Sequence, residues 1–352
     1  TYCISKNTFD TEKVSSLPTD DISNFVAYDR HVFFTSHHDS KHEDLYYYSM
    51  GTKYVQSLFL KDAPPYTIEY FSIDTTNQHL VTCLNVMPSN RANVFCICET
   101  DMAGNLLHAV DFPDTGNYIF EAARLCRTNA QNYLIIGSFQ SRTTGTKDLF
   151  YGSYSMLYHD GILSAPIFSS FSKAVNRETS SSQSAETQLL VGNVFHDSTR
   201  YSLVTESFRA EYQYNTVYNF GVASLEPVFV GYRSLNAYVC TFDSLGTPVW
   251  NYTVPLDNIL SRNLSTYLRI AFLPENTLFY YLHGNNMVTL LLNDKTEIID
   301  PIRSTPLNNS TSSWSSMQIR PWYDNNYLLT GYKQQRGSAK QNYFCLSKMQ
   351  YQ

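Results

Sequence analysis

Between Thr35 and Met50 the chain reads TSHHDSKHEDLYYYSM, with three histidines and three acidic residues in the eight positions from His37 to Asp44. Imidazole nitrogens and carboxylate oxygens are a donor set for Zn²⁺ and related ions. His37, His38 and His42 with a nearby carboxylate are therefore one arrangement to weigh. His37 and His38 are adjacent, however, and no strand or helix spacing aims His42 at a common centre. The expectation is a polar hairpin tip, with the metal site as the lesser alternative and no cofactor.

A second set is acidic. Glu69 and Glu121 fall at equivalent places in two strand-like segments, with Arg124 close to Glu121 and with Arg269 and Arg320 in further segments of the same kind. Two carboxylates beside a cation suit glycoside chemistry, one as acid and one as base or nucleophile. Charge lining a hydrated channel is the simpler reading. A third set is aromatic: RAEYQYNTVYNFGVASLEPVFVGYRSL, residues 209–235, carries Tyr212, Tyr214, Tyr218, Phe220, Phe229 and Tyr232. Such rings stack on sugars or anchor a protein partner, or pack on themselves as an extra hairpin.

Motifs tied to a mechanism do not narrow this. The sequence has no GxSxG elbow, P-loop, HExxH or GxGxxG, and no S-x-D-x-G-x-T-W box. A net charge of −6 without a long basic run argues against a nucleic-acid partner, and no apolar run is long enough to form a transmembrane segment. The seven cysteines include no CxxC pair; most sit in apolar strand-like runs as small hydrophobes. A hairpin turning near Ser89 and Asn90 sets Cys83 opposite Cys96, where one disulfide is conceivable.

The elements that must carry these side chains follow from a repeat. Helical periodicity is nearly absent, and short runs rich in Tyr, Phe, Val and Ile alternate with polar turns. One hairpin type recurs at 44–60, 93–112, 148–168, 236–256 and 286–302, often turning on Asp or Gly, and each copy is preceded by another hairpin. Four antiparallel strands per unit, repeated in tandem with a period near fifty residues, are the requirement of a β-propeller. The counting predicts an all-β, six-bladed β-propeller in a single domain, 1–352. Its blades span about 20–60, 66–112, 117–171, 187–256, 265–302 and 314–352. Residues 11–17 supply the strand that the last blade lacks and close the ring. Residues 1–6, TYCISK, resemble YFCLSK at 343–348, which keeps seven blades as the minority count.

FDSLGTPVWNYTVP, residues 242–255, resembles the outer hairpin of bacterial quinoprotein-like propeller repeats, with Asp, Gly and Trp in the usual order, and residues 328–349 resemble repeats of secreted bacterial propellers. The likeness implies a propeller superfamily and transfers no quinone-binding residue. The resulting expectation is a noncatalytic, secreted or surface-attached module that recognises a protein or glycan through Tyr212, Tyr214, Tyr218, Phe220 and Tyr232. The alternative is a carbohydrate-active enzyme, a hydrolase or lyase, using Glu69, Glu121 and Arg124. Sequons begin at Asn251, Asn263, Asn308 and Asn309.

Overall fold

The computed structural model describes residues 2–3, 8–9, 22–28, 31–37, 43–49, 52, 54–57, 65–87, 94–128, 132–141, 151–171, 187–219, 222–273, 275–307, 313–322, 326–335 and 341–350. All of their regular structure is β. A short ladder pairs β1 (Tyr2–Cys3) with β2 (Thr8–Phe9). Six antiparallel sheets follow in chain order. The first is β3 (Ile22–Tyr28), β4 (His31–His37), β5 (Glu43–Ser49) and β6 (Tyr54–Ser57). The second is β7 (Tyr66–Asp74), β8 (His79–Val86), β9 (Val94–Asp101) and β10 (Leu106–Asp111). The third is β11 (Tyr118–Arg127), β12 (Tyr133–Ser141), β13 (Tyr151–His159) and β14 (Ile162–Leu163), with β15 (Ile167–Ser170) also on β13.

The fourth sheet is β16 (Gln188–His196), β17 (Arg200–Asn219), β18 (Val222–Asp243) and β19 (Pro248–Pro255), with β20 (Leu260–Ser261) also on β18. The fifth is β21 (Arg269–Phe272), β22 (Asn276–His283), β23 (Asn286–Asn293) and β24 (Ile298–Pro306). The sixth has three strands among the described residues, β25 (Ser313–Pro321), β26 (Asn326–Gln335) and β27 (Gln341–Gln350). Each sheet is a meander joined strand to next strand, the blade of a β-propeller. Residues 11–17, expected to close the ring, lie outside the described residues, and Tyr2–Cys3 pairs with Thr8–Phe9 rather than within a four-stranded sheet.

The chain divides into two compact units, residues 1–139 with 154–167, and residues 140–153 with 168–352. In the first unit, Phe33 and Leu45 of the first sheet share one apolar layer with Ile68, Phe71, Leu80 and Leu84 of the second. In the second unit, Val204, Ala237 and Val239 of the fourth sheet pack with Ile270, Phe279 and Leu290 of the fifth. Leu278 and Tyr280 of the fifth sheet then pack with Tyr327 and Leu329 of the sixth. A four-stranded sheet cannot cover its own two faces, and stacking sheet on sheet removes that apolar surface from water.

Three of the outer hairpins share an atomic signature. Asp101, Asp243 and Asn293 each begin a turn in which the side-chain Oδ1 accepts main-chain N–H groups two and four residues on, at 2.8–2.9 Å. The main-chain N–H three residues on donates to the carbonyl of the same Asp or Asn, at 3.0–3.1 Å. That third residue has positive φ: Gly104 at 86°, Gly246 at 80° and Thr296 at 63°. The Asp-to-Gly spacing of FDSLGT is therefore a turn requirement in the blades that share it.

The proposed Cys83–Cys96 bridge does not form. Cys83 lies opposite Ile97, while Cys96 lies opposite Leu84. An offset of one residue puts the two sulfurs on opposite faces of the sheet, and both cysteines are free thiols.

A candidate binding arm on the fourth sheet

The described residues of the aromatic stretch 209–235 are the outward continuation of two strands. β17 and β18 remain paired from Arg200–Asp243 out to Asn219–Val222. β16 ends its pairing opposite Phe208, β19 opposite Asn236, and β20 covers Tyr232 and Arg233 alone. Beyond these points 209–219 and 222–231 form a two-stranded arm. Its residues favour this, since EYQYNTVY and ASLEPVFV are rich in Tyr, Thr, Val and Phe. Pro227 is tolerated because it sits where β18 is an edge strand.

A bulge at the base sets the arm's geometry. Glu211 lies opposite Gly231 and Tyr212 opposite Phe229, so Val230 is the extra residue. Gly231 is required by a close approach: a Cβ there would lie 2.7 Å from the Ser261 carbonyl oxygen of β20. The bulge brings Phe229 and Tyr232 into edge contact at 5.0 Å between centroids. Phe229 also meets Tyr212 at 5.7 Å, and Tyr232 meets the buried Phe208 at 5.7 Å. This chain of four rings ties the arm to the blade. The Arg233 guanidinium pairs with Glu211 and donates to the Asn258 carbonyl at 3.1 Å, fixing the same base.

Outward of the bulge, directly opposed residues share a face. Tyr212 with Phe229, Tyr214 with Pro227, and Thr216 with Leu225 make one face; Gln213 with Val228, Asn215 with Glu226, and Val217 with Ser224 make the other. The first face is apolar and uncovered, with Tyr214 65% and Leu225 66% exposed. Of the residues expected to bind, Tyr212 and Tyr214 lie on this face and Tyr232 at its root. Tyr218 is placed by its backbone opposite Ala223, and Phe220 lies outside the described residues. Leu225 and Pro227 were missed, because which residues join the tyrosines depends on the bulge, and an aliphatic residue in a loop-like run gives no signal by itself.

The acidic set is only partly assembled. Glu69 Oε2 lies 3.5 Å from Arg124 Nη1, and Asn85 donates to Glu69 Oε1 at 3.4 Å. Arg124 also donates to the Ala123 carbonyl, as Arg269 does to that of Leu268. Glu121 is exposed as a residue, yet its carboxyl is raised from the ordinary value by desolvation, with no charged group contributing. The side chain of Arg320 lies outside the described set.

In the histidine-rich stretch, His37 closes β4 opposite Glu43, and the connection is 38–42. Glu43 is buried and accepts the Ile68 main-chain N–H at 3.0 Å, and Asp44 is buried and accepts the Tyr46 hydroxyl at 3.0 Å. Two of the three carboxylates are thus occupied within the fold. His38 and His42 lie outside the described residues, and no group of three possible metal ligands converges among the described ones.

One polar cluster was not anticipated. Glu99, buried in β9, accepts the Tyr158 hydroxyl at 2.7 Å and meets His79 Nδ1 at 2.7 Å. Nearby, Asp74 caps its own turn and pairs with Arg127 at 2.6 Å. A lone carboxylate inside the apolar run VFCICET was the available sign, since such a group must find partners.

No family model matches the chain, and no curated protein does. Among solved structures it is similar to an α-L-arabinanase of Penicillium chrysogenum complexed with arabinobiose, at 9% identity over 91% of this chain and 90% of that one, TM-score 0.41. It is similar to the α-L-arabinofuranosidase Arb93A of Fusarium graminearum, at 9% identity over 91% and 89%, TM-score 0.40. A prolyl endopeptidase is matched at 11% identity and TM-score 0.28 over 90% of this chain, which spans 55% of that protein. At these identities and TM-scores the likeness carries no statement about activity. Among the described residues no helix is long and apolar enough to cross a membrane.

Proposed function

We propose that the chain is a noncatalytic recognition module that binds a protein partner through the apolar face of the β17–β18 arm. The observation that carries this reading is the uncovered face of Tyr212, Tyr214, Leu225, Pro227 and Phe229 on an ordered, ring-anchored ladder. An exposed apolar surface of this kind marks an interaction site in a protein with well-packed sheets. A protein suits it better than a glycan. Leu225 and Pro227 are aliphatic, and the Tyr212–Phe229 and Phe229–Tyr232 pairs are each inclined at 65°, which leaves no flat platform for a sugar ring. The low charge and the exposed sequon residues Asn251 and Asn263 favour a secreted or surface-attached setting.

The test is binding of the purified chain and a Tyr214→Ala/Leu225→Ala variant to a partner first identified by crosslinking at the arm. The reading expects affinity to fall by about 1–3 kcal/mol with melting temperature nearly unchanged. Equal affinity of the two proteins overturns it, and binding of an oligosaccharide panel lost in the variant redirects it to glycans.

The alternative is a carbohydrate-active enzyme, favoured by one observation, the raised carboxyl of Glu121 on the strand that also carries Arg124. A carboxyl raised by desolvation suits a general acid, and Glu69, 3.5 Å from Arg124, would supply the second carboxylate. Release of reducing ends from a polysaccharide panel, abolished by Glu121→Gln and Glu69→Gln separately, would establish it.

A further inference from the structure

Cys96 and Cys98 are two residues apart on β9, so both point to one face of the sheet. Their sulfurs are 3.7 Å apart and hydrogen-bonded. Among the described cysteines this is the one thiol–thiol contact. Both residues are nearly buried, 7% and 5% exposed, in the apolar layer between the first two sheets. Beside them lies a cavity of about 20 Å³, lined by Cys98, Thr82, Thr100, Leu84 and Tyr66 among others. Residue Asp111 faces Cys96 directly across the β9–β10 ladder.

We propose that Cys96 and Cys98 form a redox-active dithiol that undergoes thiol–disulfide exchange with a small disulfide and closes to an intrastrand Cys96–Cys98 disulfide. Three features bring it within reach. The sulfurs are in contact before any movement. The cavity gives the Cys98 side chain space to rotate in a layer otherwise closely packed. Residues i and i+2 of a strand are about 6.7 Å apart, near the upper end of the Cα separation that a disulfide spans. The bond therefore closes by drawing β9 in, which makes it strained and readily reduced rather than structural.

The two sulfurs are not equivalent. The Cys96 thiol is pushed up by its hydrogen bond with Cys98, by burial and by Asp111, whereas Cys98 is lowered by the same hydrogen bond, against the effect of burial. Cys98, which unlike Cys96 lines the cavity, is the attacking thiolate. It attacks one sulfur of RS–SR, that bond breaks, RS⁻ leaves and Cys98–S–SR forms. Cys96 then loses its proton and attacks the Cys98 sulfur, giving Cys96–S–S–Cys98 and a second RS⁻. The two protein thiols lose two electrons, the small disulfide gains them, and the two thiol protons end on the two RSH products.

The experiment treats the reduced, folded chain with hydroxyethyl disulfide, blocks remaining thiols with N-ethylmaleimide, and maps peptides without reduction. The expected result is an internal 96–98 bond in the peptide containing both cysteines, formed before Cys83, Cys126 or Cys240 is modified and reversed by dithiothreitol. One equivalent of phenylarsine oxide should likewise shield Cys96 and Cys98 together from alkylation, a readout that needs no variant. In Cys96→Ser the reaction should stop at a single hydroxyethylthio adduct on Cys98. Alkylation of both cysteines to the same extent with and without oxidant overturns the proposal, as does a bond from either one to Cys83.

Discussion

Glu206 Oε1 accepts the main-chain N–H of Leu268 at 2.8 Å and that of Tyr267 at 2.7 Å, so one buried carboxyl of the fourth sheet holds the entry to the first strand of the fifth. Its second oxygen, Oε2, is buried with no hydrogen-bond partner. Desolvation, opposed only in part by the two N–H groups and Arg269, pushes the carboxyl up to about 7. In the first unit Glu43 makes the comparable bond to Ile68.

The first prediction follows from that carboxyl. Its pKa in the folded chain is above the unfolded value, so the folded state binds the extra proton. The stability this supplies is fully present below the unfolded carboxylate pKa and is lost as pH rises through about 7. Glu206→Gln keeps an oxygen for Tyr267 and Leu268 and cannot ionise. Denaturant unfolding at pH 5 and pH 8 should show the variant gaining about 3 kcal/mol relative to the parent chain across that interval. A difference that stays constant with pH would refute this.

The second prediction tests the shared outer turn. Thr296 holds a φ of 63° where its counterparts are Gly104 and Gly246. A β-branched residue in the left-handed region is strained by about 1–2 kcal/mol. Thr296→Gly should raise stability by about 1 kcal/mol, after the entropy of the added glycine in the unfolded chain is subtracted. Asp243→Ala should lower it by about 1–2 kcal/mol, because two main-chain N–H groups lose their acceptor. Unchanged unfolding midpoints in both variants would dissolve the motif.

The third prediction concerns Gly137 on β12. A Cβ there would lie 1.9 Å from the Ala122 carbonyl oxygen and 2.5 Å from the Tyr154 ring, and that ring's hydroxyl donates to the same carbonyl at 2.8 Å. Tyr154 is fully buried and has nowhere to move. Gly137→Ala should therefore cost about 3 kcal/mol, measured by urea unfolding. A loss below 0.5 kcal/mol would mean that β11 shifts without penalty.

These cases show why the fold was more legible than the site. Strand order is written in the sequence, because the alternation of apolar runs and polar turns is local and recurs in blade after blade, with the Asp-to-Gly spacing marking two of the outer turns. Register is not local. Cys83 was paired with Cys96, but the strands align it with Ile97, and one residue of offset reverses the face. The aromatic stretch 209–235 was visible as unusual composition. Its division into an apolar and a polar face was not, since that depends on where Val230 bulges. Glu99 with His79 and Tyr158 unites side chains from strands up to 59 positions apart, and nothing in a single strand announces such a meeting.

The last prediction separates the root of the arm from its outer face. Tyr232 packs edge-on against the buried Phe208 and against Phe229, so its ring is part of what holds the arm on the sheet. Tyr232→Ala should lower stability by about 2 kcal/mol, a moderate loss for a half-buried aromatic compared with a fully buried one. Tyr214 and Leu225 are mostly exposed and lie diagonally across the ladder on the outer face. Replacing them with alanine removes little buried surface and should move the unfolding midpoint by less than about 0.5 kcal/mol. Amide hydrogen exchange adds a second measure. In the parent chain the paired amides of 212–217 should exchange more slowly than a free loop, and Tyr232→Ala should raise their exchange while Tyr214→Ala/Leu225→Ala leaves it unchanged. Should the outer-face pair destabilise the chain as much as Tyr232→Ala does, the arm's apolar face is packing surface, and the proposed docking role falls with it.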